Sequence, residues 1–186
     1  FVAGVLGGWA RYHEHHGVEV EALRMTMPIS IRSATTTTVA GNQFVPARFP
    51  VPLTIADPTE RMAAVRDLVA TQRDEPALAF TEAVAGVLNR MPTMAVTQLF
   101  GGMLKGIDFV TSNVPGAPIP VYIAGARVES QFAYGPLSGA AVNLTLMSHL
   151  DNIHVGINTD PAAVPDPDVL LRCMEDGFAE VLKVGA

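Results

Sequence analysis

A strand-ending corner at Ser112-Asn113-Val114-Pro115-Gly116 constrains the fold of this chain more than any other segment. A strand-like run, Ile107 to Thr111, leads into the corner, and the proline-rich bend Ala117 to Pro120 follows it. Asn and Gly tolerate backbone angles that other residues avoid, while the prolines fix the direction in which the chain leaves. The pattern predicts a rigid corner that presents a polar amide at a strand end, where α/β proteins commonly build ligand sites.

Residue periodicity predicts helices at both ends of the chain and strands between them. Apolar residues spaced by three and four from Val2 to Tyr12 predict a first helix, which Gly17 ends. Asp57-Pro58-Thr59-Glu60 is a helix start, and Asp166-Pro167 opens a last helix that ends near Val184. We expect the second helix to run to about residue 73 and two further helices to follow at 80–89 and 93–104. A loop is expected at 33–40. The predicted strands cover residues 25–32, 42–53, 107–111, 121–130, 142–148 and 152–158.

This order of elements favours an α/β fold, in which a mixed β-sheet is flanked by helices on one side. Pro28 lies within the first predicted strand and indicates an edge or a bulge there. Glycines 4, 7 and 8 lie in a helical pattern and not after a strand, so they indicate close helix packing and no phosphate-binding loop.

Composition narrows the possible partners. Hydrophobic residues make up 49% of the 186 residues and charged residues 16%, which is enough for a substantial core. The net charge of −6, with no block of Lys or Arg, argues against nucleic acid as a partner and against charge-driven binding to anionic membranes.

The single cysteine, Cys173, excludes an intrachain disulfide and fits a buried structural thiol. The apolar run Phe1 to Ala10 is too short to cross a bilayer.

Downstream of the corner, further segments follow in a specific order. They are VYIAGARV at 121–128, YGPLSG at 134–139, Asn143-Leu144-Thr145, Ser148-His149, Asp160 and Pro165-Asp166, with Met27 to Arg32 and Gly41-Asn42-Gln43 upstream. In this order, and over nearly the whole chain, they resemble the C-terminal part of the bacterial wax ester synthase/diacylglycerol acyltransferase family. The resemblance implies that residues 1–186 are the C-terminal lobe of a two-lobe fold of the chloramphenicol acetyltransferase type. Because the chain begins with Phe1 and not Met, we interpret it as a fragment or a processed product. The resemblance implies that the N-terminal catalytic lobe is absent from it.

The resemblance also implies an activity. The complete enzyme would move a fatty acyl group from acyl-CoA, its substrate, to diacylglycerol or a long-chain alcohol, giving triacylglycerol or wax ester without a further cofactor. The family's general base is the second histidine of a His-His-x-x-x-Asp-Gly motif. After His15-His16 the positions for Asp and Gly hold Val20 and Glu21, so we expect no catalytic residue in this chain and a base in the missing lobe.

The resemblance assigns a substrate-channel or acyl-CoA-positioning role to a set of residues in and after the corner. They are Ser112, Asn113, Pro115, Gly116, Ser138, Gly139 and Asn143. The side-chain amide of Asn113 could bond a thioester carbonyl or a pantetheine amide, or it could close an Asx turn with its own backbone. Ser138 does not fit the Gly-x-Ser-x-Gly spacing of a nucleophile elbow and is interpreted as a turn serine.

We expect no metal site. A zinc-protease helix needs a second histidine four residues after His13, where Gly17 stands, so we interpret the histidines at this helix end as structural or solvated. His149 and Asp151 are interpreted as part of a solvent-facing turn, in preference to a metal or acid–base pair.

Two other interpretations stay open. In the first, the chain is a stand-alone module that binds lipid or acyl-CoA, or acts as a scaffold, without catalysis. In the second, it is a fragment of a condensation-type domain that uses carrier-protein thioesters. The Ala-Gly-Ala-Arg stretch at 124–127 matches this second type of domain less well than it matches the acyltransferase family. For a lone lobe we expect an exposed apolar surface that meets the N-terminal lobe, in the same or a cleaved chain, or that drives homo-oligomerisation. We expect the protein to be cytoplasmic, either free or peripherally bound at a membrane or lipid-droplet surface.

Overall fold

The computed structural model describes residues 1–30, 44–73 and 106–185. It contains three helices, α1 (Val2–His15), α2 (Pro58–Arg73) and α3 (Pro167–Val184), within these ranges. The strands are β1 (Ala22–Ser30), β2 (Phe44–Pro52), β3 (Phe109–Val114), β4 (Tyr122–Ile123), β5 (Ala126–Arg127), β6 (Val142–His149) and β7 (Asn152–Thr159). The predicted loop at 33–40 and the predicted helices at 80–89 and 93–104 lie outside the described residues.

Five strands form one mixed sheet in the order β2-β1-β3-β6-β7. Strand β3 pairs in parallel with β1 and β6, while β2 and β7 pair antiparallel at the two ends of the sheet. The carboxyl ends of β1, β3 and β6 therefore lie at one edge of the sheet, which we call the carboxyl edge, and the opposite edge is the amino edge. This arrangement confirms the predicted mixed sheet.

The helices α1 and α3 pack on one face of this sheet and bury the core against it. Side chains that share this face, such as Met25, Phe109 and Leu144, form one cluster with Leu6 of α1 and Leu170 of α3. Glycines allow the two helices to touch: a Cβ on Gly177 would lie 2.3 Å from the Gly4 carbonyl oxygen and 2.5 Å from the Gly8 nitrogen. The predicted packing role of the helix glycines is thus confirmed.

A buried arginine attaches α2 to the other two helices. Arg61, 3% exposed, donates from Nε to the Ala3 carbonyl at 2.9 Å and pairs with Glu180 of α3 at 2.8 Å. The predicted cap of α2 is also present, since the Glu60 N–H donates to Asp57 Oδ1 at 2.9 Å. Arg61 is the one buried residue of α2, so the sides of this helix that carry its valines stay partly exposed.

The predicted strand at 121–130 is wrong. Two residues on each side, β4 and β5, pair as a short antiparallel hairpin outside the main sheet. Ala124 and Gly125 both have positive φ, 51° and 85°, as a type I′ turn requires. Alanine is rare at such a position, and its presence hid the turn within an apparently continuous apolar run.

Candidate functional site

A cleft opens at the carboxyl edge because β1 and β3 separate there. The two strands pair only at Met25–Phe109 and Thr26–Val110, although each continues for several residues beyond these pairs. Pro28 pairs with Pro46 of β2 but lies in the part of β1 that does not pair with β3, where its missing N–H costs no hydrogen bond to β3. The predicted edge at Pro28 is wrong, because β1 is an inner strand between β2 and β3; the proline is tolerated because it lies beyond the residues of β1 that pair with β3.

The cleft has a volume of about 660 Å³ and is bounded by four elements. Its lining comes from the start of α1, one side of α2, β1 and the end of β3, and comprises Phe1, Val2, Ala3, Met27, Met62, Val65, Arg66, Val69, Ala70, Arg73, Thr111, Ser112 and Asn113. Most of these side chains are apolar, and the charged ones among them are both arginines. A long apolar chain with a polar or anionic end matches this distribution.

Asn113 brings an unengaged amide to the cleft. Its side chain is exposed, and it makes no hydrogen bond with another described residue, so no Asx turn is formed within that part of the chain. Asn113 pairs with Leu146 of β6 and shares the helix-covered face, whereas Ser112 pairs with Thr145 and faces the other side of the sheet. The amide is thus available to a ligand in the cleft.

The corner after Asn113 is held against the end of β6. The Gly116 N–H donates to Ser148 Oγ at 3.1 Å, and a Cβ on Gly116 would lie 1.7 Å from the Ser148 carbonyl oxygen. Only glycine fits at this distance, and Pro115 before it restricts the backbone further. Ser112, Asn113, Pro115 and Gly116 therefore belong to one segment whose end is hydrogen-bonded to β6.

Ser138, Gly139 and Asn143 lie elsewhere, at the amino edge. Ser138 and Gly139 have φ of 51° and 86° and form a turn closed by the bond from the Ala140 N–H to the Leu137 carbonyl at 2.9 Å. This geometry is that of the turn serine we predicted. Asn143 is buried in β6. It lies three residues, or about 10 Å, before Leu146, the residue that pairs with Asn113, and its side chain is on the opposite face of the sheet from that of Asn113. These three residues do not border the cleft.

The histidines at the end of α1 have protein partners. His13 Nδ1 lies 2.8 Å from the Trp9 carbonyl oxygen, and His16 Nε2 lies 2.9 Å from Asp166 Oδ2. Asp166 also accepts a hydrogen bond from the Tyr12 hydroxyl. Burial and this bond to Asp166 raise the pKa of Tyr12 to about 12, and the same bond lowers the pKa of Asp166. Within the described ranges, no group of three or more His, Cys, Asp or Glu side chains could hold a metal ion.

A second cavity of about 520 Å³ lies at the amino edge, beside Trp9, His13, Asp108 and Gly139. Burial tends to raise the pKa of Asp108, but hydrogen bonds from the side chain and backbone of Arg24 outweigh burial and lower it. The carboxylate of Asp108 is therefore already engaged in a bidentate ion pair.

The interpretation of His149 as a solvent-facing turn residue is wrong. His149 is 1% exposed, and its Nε2 lies 3.1 Å from the Val128 carbonyl oxygen, under the segment that covers this face of β6. Asp151, by contrast, is exposed in the turn after β6. The strand therefore continues one residue beyond the predicted end, and His149 is buried because the segment that contains Val128 covers it.

Sequence reasoning missed the α2 side of the cleft and Met27. The available signal was the mixed pattern of Met62, Val65, Arg66, Val69 and Arg73, which recur on one side of the helix without a purely apolar stripe. A helix side that is half apolar and half basic indicates contact with something other than the core.

Of the helices in the described ranges, none is long and apolar enough to span a membrane.

Comparison with known proteins gives consistent matches. The family model of the WS/DGAT C-terminal domain matches residues 40–182. A Mycobacterium tuberculosis protein that carries the name of a diacylglycerol O-acyltransferase is 36% identical over 182 residues, 98% of this chain and 37% of its own length. A second such protein of the same species is 30% identical over 195 residues and likewise covers 98% of this chain and 37% of its own length. The chain thus spans little more than a third of these relatives.

Two solved structures share the fold. The wax ester synthase/diacylglycerol acyltransferase from Marinobacter aquaeolei VT8 superposes with a TM-score of 0.64 at 24% identity, covering 99% of this chain and 42% of that one. The starter condensation domain of a rhizomide synthetase superposes with a TM-score of 0.55 at 12% identity, covering 96% and 42%. The expected acyltransferase-like fold is confirmed by these likenesses.

Proposed function

This chain belongs to the wax ester synthase/diacylglycerol acyltransferase family, and we propose that it is the C-terminal lobe of an acyl-CoA-dependent O-acyltransferase. In this proposal the enzyme transfers a fatty acyl group to diacylglycerol or a long-chain alcohol. The observation that carries the proposal is the amide of Asn113, unengaged by described residues, at the border of an apolar cleft. The cleft gives the acyl chain a place to bind, and the amide lies where a thioester carbonyl can be held.

The proposed reaction needs one base and one positioned thioester. A neutral histidine of the N-terminal lobe takes the proton of the acceptor hydroxyl while its oxygen attacks the thioester carbonyl carbon. The Asn113 amide donates a hydrogen bond to the carbonyl oxygen as negative charge develops on it. Collapse of the tetrahedral species forms the ester and breaks the carbon–sulfur bond, and the proton passes to the departing CoA sulfur.

The surface proposed to meet the N-terminal lobe is the segment 119–134. Its large apolar side chains are unusually exposed: Ile119, Tyr122, Ile123, Phe132 and Tyr134 are between 53% and 67% accessible. Tyr122 and Ile123 form β4 of the β4–β5 hairpin and the other three flank it in sequence; the hairpin pairs with no strand of the main sheet. Exposed apolar residues concentrated in one segment are typical of an interface. The greater length of the relatives, of which this chain matches 37%, supports the proposal that a further lobe covers this surface.

A second candidate function is that of a non-catalytic module that binds lipid or acyl-CoA. It rests on the same cleft, whose described lining is mostly apolar with two arginines and contains no histidine that could act as a base. The two candidates differ in what they require: the enzyme needs an N-terminal lobe with a histidine base, and the module does not.

The deciding experiment compares the intact polypeptide, with both lobes, with this chain alone. Native mass spectrometry establishes which polypeptides assemble, and ester formation is then measured with acyl-CoA plus diacylglycerol or hexadecanol. We expect the two-lobe protein to form ester and this chain alone to form none. Acyl-CoA binding without ester formation by the two-lobe protein would favour the module and overturn the enzyme.

A further inference from the structure

The side of α2 that borders the cleft carries a repeated basic pattern. Met62, Arg66, Val69 and Arg73 follow one another at spacings of four, three and four, so they lie along one side of the helix, and all four line the cleft. From Met62 to Arg73 this side is about 16 Å long at the rise of an α-helix. The cleft therefore has an elongated wall in which apolar and guanidinium groups alternate.

The charge of this wall is not neutralised within the described part of the cleft. No carboxylate is among the described lining residues, although the chain as a whole has a net charge of −6. Arg66 contacts Asp67 at 3.1 Å, but these side chains are 77% and 71% exposed, and such surface pairs exchange easily for a better partner. Arg73 makes no ion pair with a described residue.

We propose that Arg66 and Arg73 form a phosphate-binding subsite that holds the nucleotide end of acyl-CoA. This assignment rests on the proposed acyltransferase function and adds the residues that recognise the donor's charged end. A guanidinium group binds phosphate oxygens through two parallel N–H donors, and two such groups separated by two helical turns match a ligand with several phosphates. The apolar residues between them contact the uncharged arm of the ligand, and Asn113 lies across the same cleft.

The test compares two donors in the intact two-lobe enzyme: acyl-CoA and an acyl-pantetheine thioester, which lacks all phosphates. For the double variant Arg66→Gln/Arg73→Gln we expect the KM for acyl-CoA to rise by about tenfold, because one or two charge-assisted hydrogen bonds to phosphate are lost. The kcat should be nearly unchanged. The KM for the acyl-pantetheine donor should stay the same. Adenosine 3′,5′-bisphosphate should compete with acyl-CoA in the wild type and much less in the variant.

Arg172→Gln is the matched control, because Arg172 is an exposed arginine of α3 that does not line the cleft. It should leave both KM values unchanged, and Arg66→Lys/Arg73→Lys should restore part of the lost affinity. An unchanged KM for acyl-CoA in the double variant, or an equal rise for both donors, would overturn the subsite while leaving the acyltransferase function intact. Failure of the wild type to use either donor would overturn that function, and the subsite with it.

Discussion

Asn143 and Asn158 face each other across β6 and β7, and their side-chain amides donate to consecutive carbonyl groups, those of Pro136 and Gly135, at 2.9 and 3.2 Å. Gly135 lies so close to Asn143 that a Cβ there would come within 2.6 Å of Nδ2. These two amides attach the segment before β6 to the sheet face opposite the helices. Asn143, expected to line a channel, is thus a buried hydrogen-bonding residue at the amino edge.

Asn143→Ala should destabilise the protein by about 2 kcal/mol, because it leaves the buried Thr145 hydroxyl and the Pro136 carbonyl without their partner. The free energy of unfolding from urea titration measures this loss. Asn158→Ala is the control: its side chain is exposed, so water replaces the lost bond and the cost should stay below about 1 kcal/mol. Equal losses in the two variants would contradict the role given to Asn143.

Gly116→Ala should displace the corner, since its Cβ would meet the Ser148 carbonyl oxygen at 1.7 Å. We expect a loss of stability of about 2–3 kcal/mol and, in the two-lobe enzyme, reduced turnover because Asn113 moves with the corner. Gly185→Ala has open space around it and should change stability by less than about 0.5 kcal/mol. A Gly116→Ala protein as stable and active as the wild type would show that the corner is not rigid.

Asn113→Ala should lower kcat of the two-lobe enzyme by about a hundredfold, the usual cost of one donor to a developing oxyanion. Its melting temperature should change little, because the side chain is exposed and bonded to no described residue. Steady-state kinetics and a thermal scan measure the two effects, with Asn152→Ala, an exposed amide at the start of β7, as the control. Unchanged turnover at an equal melting temperature would refute the positioning role of Asn113.

Glu180 should make stability depend on pH at the junction of the helices. Burial tends to raise the pKa of Glu180, but the hydrogen bonds from Arg61 and Arg11 outweigh it and lower the pKa below the usual 4.5. A depressed pKa means that the stabilisation is fully present above about pH 4.5 and is lost as the pH falls through the folded-state value.

Glu180→Gln should therefore destabilise the protein by about 2 kcal/mol at pH 7, less than for a fully buried pair because Glu180 is 25% exposed. The difference from the wild type should shrink as the pH falls below 4.5, as measured by urea titration at several pH values. Glu175→Gln, an exposed residue of the same helix, should show no such convergence. A constant difference at all pH values would exclude the ion pair as its cause.

Helix limits were readable from the sequence because they depend on neighbouring residues. Asp57 and Glu60 mark the start of α2, Pro167 marks the start of α3, and Gly17, at a φ of 66°, follows α1. The corner after Asn113 could be predicted for the same reason, since Pro115 restricts the local backbone angles and Gly116 permits angles that other residues avoid. The hairpin at 122–127 escaped prediction because Ala124 adopts a positive φ that its residue type rarely takes.

The sequence by itself determined the three helices of the described ranges, the strand-ending corner and the lack of a His-His-x-x-x-Asp-Gly motif, all of which are properties of short segments. Only the tertiary structure decided which of the predicted site residues meet. Met25 and Phe109 pair across more than eighty residues of chain, and the separation of their strands just beyond that point creates the cleft. Such pairing depends on how all the buried faces fit together at once, so no local pattern reveals that Asn113 borders the cleft while Asn143 lies under another segment.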